Sequence, residues 1–216
     1  VAHVKSTDYF VYNPAFKELR NLTKHIKAKA IPFVKTIPFK NHNEENIRAA
    51  ITVASILHIP ESTIKKGIRA AKPLPHRLEY IGQRHGIHFY DDSAATIPEA
   101  TLHALKTLGS SVKTLIAGGS EKGADFSKLR RYLEKHGVTS LILLPPTGKK
   151  IGRSLPIKKF YISSMKEAIR IAFRVTPRGK ICLLSPASAS FGLFRDYKER
   201  GNLFKKLVKT RHGRPH

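Results

Sequence analysis

The sequence predicts an α/β protein whose main part is a mostly parallel sheet covered on both faces. Two observations carry this. From residue 76 onward, apolar runs alternate with helical patterns of about 10–15 residues, the signature of strand–helix–strand units. The runs themselves, such as TLIA (114–117) and ICLL (181–184), are short and apolar at every position, as strands buried on both faces are.

Taken in order, DYFVYN (8–13) and AKAIPFVK (28–35) read as strands. NHNEENIRAAITVASILHI (41–59) reads as a helix with Ile47, Ala50, Ile51, Ala54 and Leu57 turned inward, and PESTIKKGIRAA (60–71) as a second helix. AKPLPH (71–76) carries two prolines and reads as a linker. GIHFYDD (86–92) ends a strand. PEATLHALKTL (98–108) is a helix, with Ala100, Leu102, Leu105 and Leu108 near its period and Pro98 in its first turn. KTLIAGG (113–119) is a buried strand. DFSKLRRYLEKHG (125–137) places Phe126, Leu129 and Leu133 on one helical face and stops at Gly137. TSLILLPP (139–146) is the next strand. SSMKEAIRIAFRV (163–175), after KKFYIS, is a helix with a serine cap candidate. GKICLLSP (179–186) is the last strand, FRDYKERGNLFKKLVKT (194–210) the closing helix and RHGRPH (211–216) a frayed basic tail.

Composition narrows the function. Lys and Arg total 40 against 15 Asp and Glu, a formal charge of +25. Such an excess favours anionic ligands and draws polyanions non-specifically. A nucleic-acid-binding module is therefore the rival reading. Against it, the cations are spread along every element and no stretch interleaves them with aromatics in a known motif. The single cysteine, Cys182, sits in an apolar run, which suits an inert core thiol and a reducing compartment rather than a disulfide framework. With no signal-peptide pattern and no apolar run near 18 residues, the reading is a cytoplasmic protein with no membrane partner. The 11 histidines show no metal-ligand spacing, so no metal site is expected in this chain. The chain opens on Val1, without Met and inside a strand region, and reads as the C-terminal part of a longer protein.

Ligands of open parallel sheets bind beyond the C-terminal strand ends. Those ends carry DDSAAT (91–96), GGSEKG (118–123) and SPASAS (185–190). GGSEKGADF (118–126) invites comparison with a phosphate loop, G-x-x-x-x-G-K-[ST]. The spacing is wrong: Lys122 precedes Gly123, and neither Ser nor Thr follows the lysine.

Five stretches match one set of patterns in order and spacing. HNEEN (42–46) fits H-N-x-x-N, PHRLE (75–79) fits P-H-R-x-E, and DDSAAT fits N-D-S-K-A-T. GGSEKGADF fits G-G-x-x-K-x-x-D-F, and LLSPASASFGLFRDYKERGNLF (183–204) fits L-S-P-A-x-A-S-x-D-x-F-x-x-F-x-x-R-G-x-x-F. By these the whole chain resembles the back half of the Mur ligases. Within them it is similar to the D-glutamate-adding member, since the D-N-P-R motif of the diamino-acid-adding ligase is absent.

The resemblance implies a Rossmann-like C-terminal domain over 75–210, preceded over 1–74 by the last part of an α/β central ATPase domain. It implies an ATP- and Mg²⁺-dependent enzyme, monomeric when complete. Its partners would be UDP-N-acetylmuramoyl-L-alanine, D-glutamate and ATP. The carboxylate is activated as an acyl phosphate and then attacked by the amine of D-glutamate. Asn43 and Asn46 would lie near the adenine, His76 and Arg77 near the phosphates, and Asp92 at the ribose. Thr96, Lys122, Ser190, Phe191 and Tyr197 would line the D-glutamate pocket. Lys122 would then hold a carboxylate, not a phosphate. Read without the resemblance, Asn43 and Asn46 suit helix caps, Asp92 and Thr96 suit a turn and a cap, and Lys122 a solvated loop. The sequence departs from the patterns at Lys40, usually Gly, Ala94, usually Lys, and Gly192, usually Asp. The phosphate loop and the Mg²⁺ ligands are expected upstream of residue 1, so the fragment alone is expected to be inactive.

Overall fold

The computed structural model describes residues 3–34 and 44–210. It divides between Lys72 and Pro73 into two compact units. In the first, β1 (Tyr9–Tyr12) and β2 (Lys29–Pro32) pair in parallel, joined through α1 (Lys17–Leu22). Two helices follow, α2 (Glu44–Ile56), which lies against β1, and α3 (Glu61–Ala70). The inward stripe expected on α2 is only partly realised. Ile47, Ile51 and Ala54 are half-buried, but Ala50 is exposed and Leu57 is 65% exposed. The helix stops at Ile56, and His58 turns the chain with φ +56°, carrying Leu57 off the stripe. Thr52 is buried instead, its hydroxyl donating to the Arg48 carbonyl and accepting from the Val34 amide.

The second unit is the expected α/β sheet. Its strands are β3 (Glu79–Arg84), β4 (Ile87–Asp91), β5 (Val112–Gly118), β6 (Ser140–Leu144), β7 (Lys158–Tyr161) and β8 (Ile181–Leu184), in the order β3-β4-β8-β5-β6-β7. All pairs are parallel except β3–β4. That hairpin edge departs from the expected pattern: a His85–Gly86 turn with φ +50° and +81° lets the chain reverse within two residues. Between the strands run α4 (Pro98–Leu108), α5 (Ser127–Lys135), the short α6 (Gly148–Gly152) and α7 (Met165–Val175), and α8 (Tyr197–Thr210) follows β8. Ser164 caps α7 by accepting from the Glu167 amide, and Gly137 follows α5 at φ +76°.

The two-residue period of a strand divides the core cleanly. On one face Leu115, Leu141, Leu143 and Leu183 pack with Leu105 of α4, Leu129 and Leu133 of α5 and Ile151 of α6. On the other, Ile116, Ile142, Leu144, Cys182 and Leu184 pack with Ile169 and Ala172 of α7 and Phe204 of α8. Helices therefore cover both faces, and ligands of such sheets meet them at the strand ends. Because β8 inserts between β4 and β5, the loops after those three strands become neighbours. No helix among the described residues is long and apolar enough to cross a membrane.

Candidate active site

The glycine pair after β5 is explained by backbone crowding. A Cβ on Gly118 would stand 2.2 Å from the Leu144 carbonyl oxygen, and one on Gly119 would stand 2.2 Å from that of Ala189. Both have positive φ, +108° and +152°. The glycines thus let the β5 loop run against the end of β6 and the β8 loop. Ser120 N–H donates to the Ala189 carbonyl at 2.9 Å. The buried Thr147 hydroxyl accepts from the Gly119 amide at 3.0 Å and lies 2.7 Å from the Ser188 hydroxyl.

A buried guanidinium fastens the β4 loop to the β8 loop. Arg200, on α8, is fully enclosed. Its Nε donates to Ser93 Oγ at 3.0 Å, Nη2 to the Ser93 carbonyl at 2.8 Å and Nη1 to the Ser188 carbonyl at 3.1 Å. Ser93 Oγ donates in turn to the Tyr197 carbonyl at 2.7 Å. Burial pulls the guanidinium down to about 10, still fully charged at neutral pH. The motif quoted above contains this arginine, but residue type alone assigns it to solvent, so the sequence reading gave it no role.

The linker turn is held by carboxylates. His76 is buried at φ +64°; its amide donates to Glu79 Oε2 and its Nδ1 lies 2.7 Å from Asp91 Oδ2. Lys205 Nζ donates to both Glu79 oxygens, at 3.1 and 2.9 Å, and lies 4.0 Å from Asp91 Oδ2. The potential ligand atoms of His76, Glu79 and Asp91 fall within 4.8 Å of one another. A divalent cation does not fit there, since the Lys205 ammonium already provides the positive charge.

Asp92 is buried, with Oδ1 accepting from the Leu78 amide at 3.2 Å and Oδ2 from the Ser185 hydroxyl at 2.7 Å. Both oxygens thus bind the protein's own donors, across the linker and the β8 loop. Burial pushes its carboxyl from 3.8 up to about 6, against the pull of these two donors. The folded-state value lies above the unfolded one, so Asp92 opposes folding increasingly as pH rises from about 4 to 6. Relative to Asp92→Asn, the wild type is expected to lose up to roughly 3 kcal/mol of unfolding free energy across that window and no more above it. Urea denaturation of both proteins at pH 4, 5, 6 and 7 checks this; a difference independent of pH would contradict it.

The remaining expected residues fall as follows. Lys122 is exposed, with Nζ 5.1 Å from the ring centroid of Phe191, itself 56% exposed. Ser190 is buried beside Ala189, and Thr96 is half-buried at the end of the β4 loop. Tyr197 is half-buried, its ring edge-on to His76 at 6.0 Å. Arg77 is exposed beside His76. Lys122 and Phe191 are therefore in contact, whereas no hydrogen bond among the described residues joins Thr96 to Lys122 or Ser190. Asn46 is exposed in the first turn of α2, in the other unit. Asn43 and Lys40 lie outside the described residues.

The stretch that folds into this sheet and gathers three small-residue loops at adjoining strand ends, residues 76–188, matches the family model "Mur ligase, glutamate ligase domain". The chain belongs to the Mur ligase family. It is 39% identical over 173 residues to the UDP-N-acetylmuramoylalanine--D-glutamate ligase of Caldanaerobacter subterraneus, covering 77% of this chain and 38% of that protein. It is 36% identical over 216 residues to the enzyme of the same name from Fervidobacterium nodosum, covering 94% of this chain and 50% of that protein. The chain thus spans half or less of the length of these curated relatives. In fold it is similar to the MurF ligase from Thermotoga maritima in complex with ADP, with TM-score 0.68 and 16% identity over 96% of this chain and 55% of that one.

Proposed function

We propose that this chain is the amino-acid-delivering part of an ATP-dependent ligase that joins D-glutamate to UDP-N-acetylmuramoyl-L-alanine in peptidoglycan precursor synthesis. The observation that carries the reading is the Lys122 loop: an exposed ammonium on a backbone ledge pinned by Gly118 and Gly119, facing the β8 loop that bears Ser190 and Phe191. D-Glutamate brings two carboxylates and an ammonium. A pocket selective for it needs one fixed cation and small donors for the remaining lone pairs, which Lys122, Thr96 and Ser190 supply. Phe191 and Tyr197 provide the walls around its methylene groups. Holding the amine in line with an activated carboxylate is the chief catalytic work open to these residues.

ATP with Mg²⁺ supplies the carboxylate activation when bound. The sequence contains no G-x-x-x-x-G-K-[ST] stretch, and the His76–Glu79–Asp91 cluster is filled by Lys205, so those ligands are assigned to protein outside this chain. By the resemblance, His76 and Arg77 would serve the nucleotide's phosphates and Asn43 and Asn46 its adenine. Asp92, whose oxygens engage the protein's own donors, can meet a ribose hydroxyl only through a remaining lone pair. The test is mass spectrometry of the product made by the complete enzyme. The expected product is the muramoyl nucleotide extended by one glutamyl residue, with D-glutamate accepted and L-lysine and diaminopimelate refused. Equal use of either diamino acid would overturn the reading.

A further inference from the structure

The buried pair His76–Asp91 is built into the protein at some cost, and that cost points to a purpose. Gly201 lies inside α8, where glycine is a poorer helix former than alanine. A Cβ at that position would stand 2.2 Å from His76 Nδ1 and 2.7 Å from Asp91 Oδ2. The helix therefore gives up a side chain at the spot where imidazole and carboxylate meet. The imidazole itself is held at a positive-φ residue, its amide tied to Glu79 and its carbonyl accepting from the Ala94 amide at 3.0 Å.

The direction of the proton follows from the neighbours. Asp91 Oδ1 accepts from the Ser93 amide at 2.9 Å, and Oδ2 faces the Lys205 ammonium at 4.0 Å. A carboxylate that accepts an N–H on one oxygen and faces an ammonium with the other is the accepting partner, so the proton of the 2.7 Å contact is assigned to Nδ1. No hydrogen bond among the described residues engages Nε2. We propose that Asp91 is a positioning residue that fixes His76 with Nδ1 protonated and turned into the domain, leaving Nε2 as the ring atom that meets the nucleotide. The Lys205–Glu79 pair keeps Asp91 in its accepting role, and Gly201 leaves room for the contact. An asparagine side-chain oxygen at this position would offer the same acceptor, so the acceptor rather than the charge is the working element.

The ligand in this proposal rests on the functional reading above, but the tautomer does not, and the experiment separates them. Long-range ¹H–¹⁵N spectra of the ¹⁵N-labelled chain, with His76 assigned by His76→Gln, are expected to show a protonated Nδ1. In Asp91→Ala the ring reverts to the Nε2–H form that free histidine prefers, and Asp91→Asn restores the Nδ1–H form. In the complete enzyme Asp91→Ala raises the KM for ATP about tenfold or more, the worth of one charge-assisted hydrogen bond, while Asp91→Asn stays near wild type. A bare Nδ1 in the wild type overturns the proposal, as does an unchanged KM for ATP in Asp91→Ala. An Nδ1–H ring in an enzyme that turns over without ATP would refute the functional reading and leave the tautomer standing.

Discussion

Replacing Arg200 with alanine is expected to destabilise the α/β domain by about 3–5 kcal/mol and to lower its Tm by roughly 10 °C. The guanidinium is fully enclosed and donates to Ser93 Oγ, the Ser93 carbonyl and the Ser188 carbonyl. Alanine leaves two buried carbonyls without donors and a cavity of arginine size, and each of those defects destabilises independently. Lysine retains the charge but has a single nitrogen, which cannot span Ser93 and Ser188 together, so Arg200→Lys is expected to recover only a minor part. Thermal and urea denaturation of the chain check both. A change below 1 kcal/mol for Arg200→Ala would show that the β4 and β8 loops are held by the Asp92–Ser185 and Asp92–Leu184 hydrogen bonds alone.

Lys122→Ala is expected to act on function and not on stability. In the complete enzyme the KM for D-glutamate should rise about 10- to 150-fold, the equivalent of roughly 1.5–3 kcal/mol for a charge-assisted hydrogen bond. The KM for ATP should stay nearly constant. The side chain is exposed and among the described residues it meets only the Phe191 ring, so the variant should keep its Tm within a degree or two. Thr96→Ala and Ser190→Ala should move the same constant in the same direction by less. A variant that loses ATP affinity and keeps D-glutamate affinity would make the loop a phosphate loop after all.

The longer helices were legible because each carries its own periodicity and its own punctuation; α1 and α6, of six and five residues, are too short to show a period. Phe126, Leu129 and Leu133 share a face before Gly137, and all three are buried. The gathering of the three small-residue loops was legible as well, since each directly follows an apolar strand of one parallel sheet. The β3 edge was not. Its residues Gln83 and Arg84 face solvent, and its register shifts between Tyr80 and Gly82, so no two-residue alternation is present to be read. The α2 stripe was over-read because periodicity continues past Ile56, whereas the hydrogen-bonded helix does not. Arg200 and Gly201 were hidden for a different reason. Their roles depend on Ser93, Ser188, His76 and Asp91, which only the folded sheet brings to α8. Local sequence reports what a residue prefers; burial of a cation or the need for a missing Cβ is a property of its distant neighbours.

The central claim is that the glycine-flanked loop after β5 holds a carboxylate. A crystal structure of the complete enzyme with its glutamylated product and ADP tests it most directly. The glutamyl side-chain carboxylate is expected within hydrogen-bond distance of Lys122 Nζ, with the Thr96 and Ser190 hydroxyls as its other donors. A phosphate oxygen of the nucleotide at Lys122 Nζ, with the glutamyl group elsewhere, would contradict it.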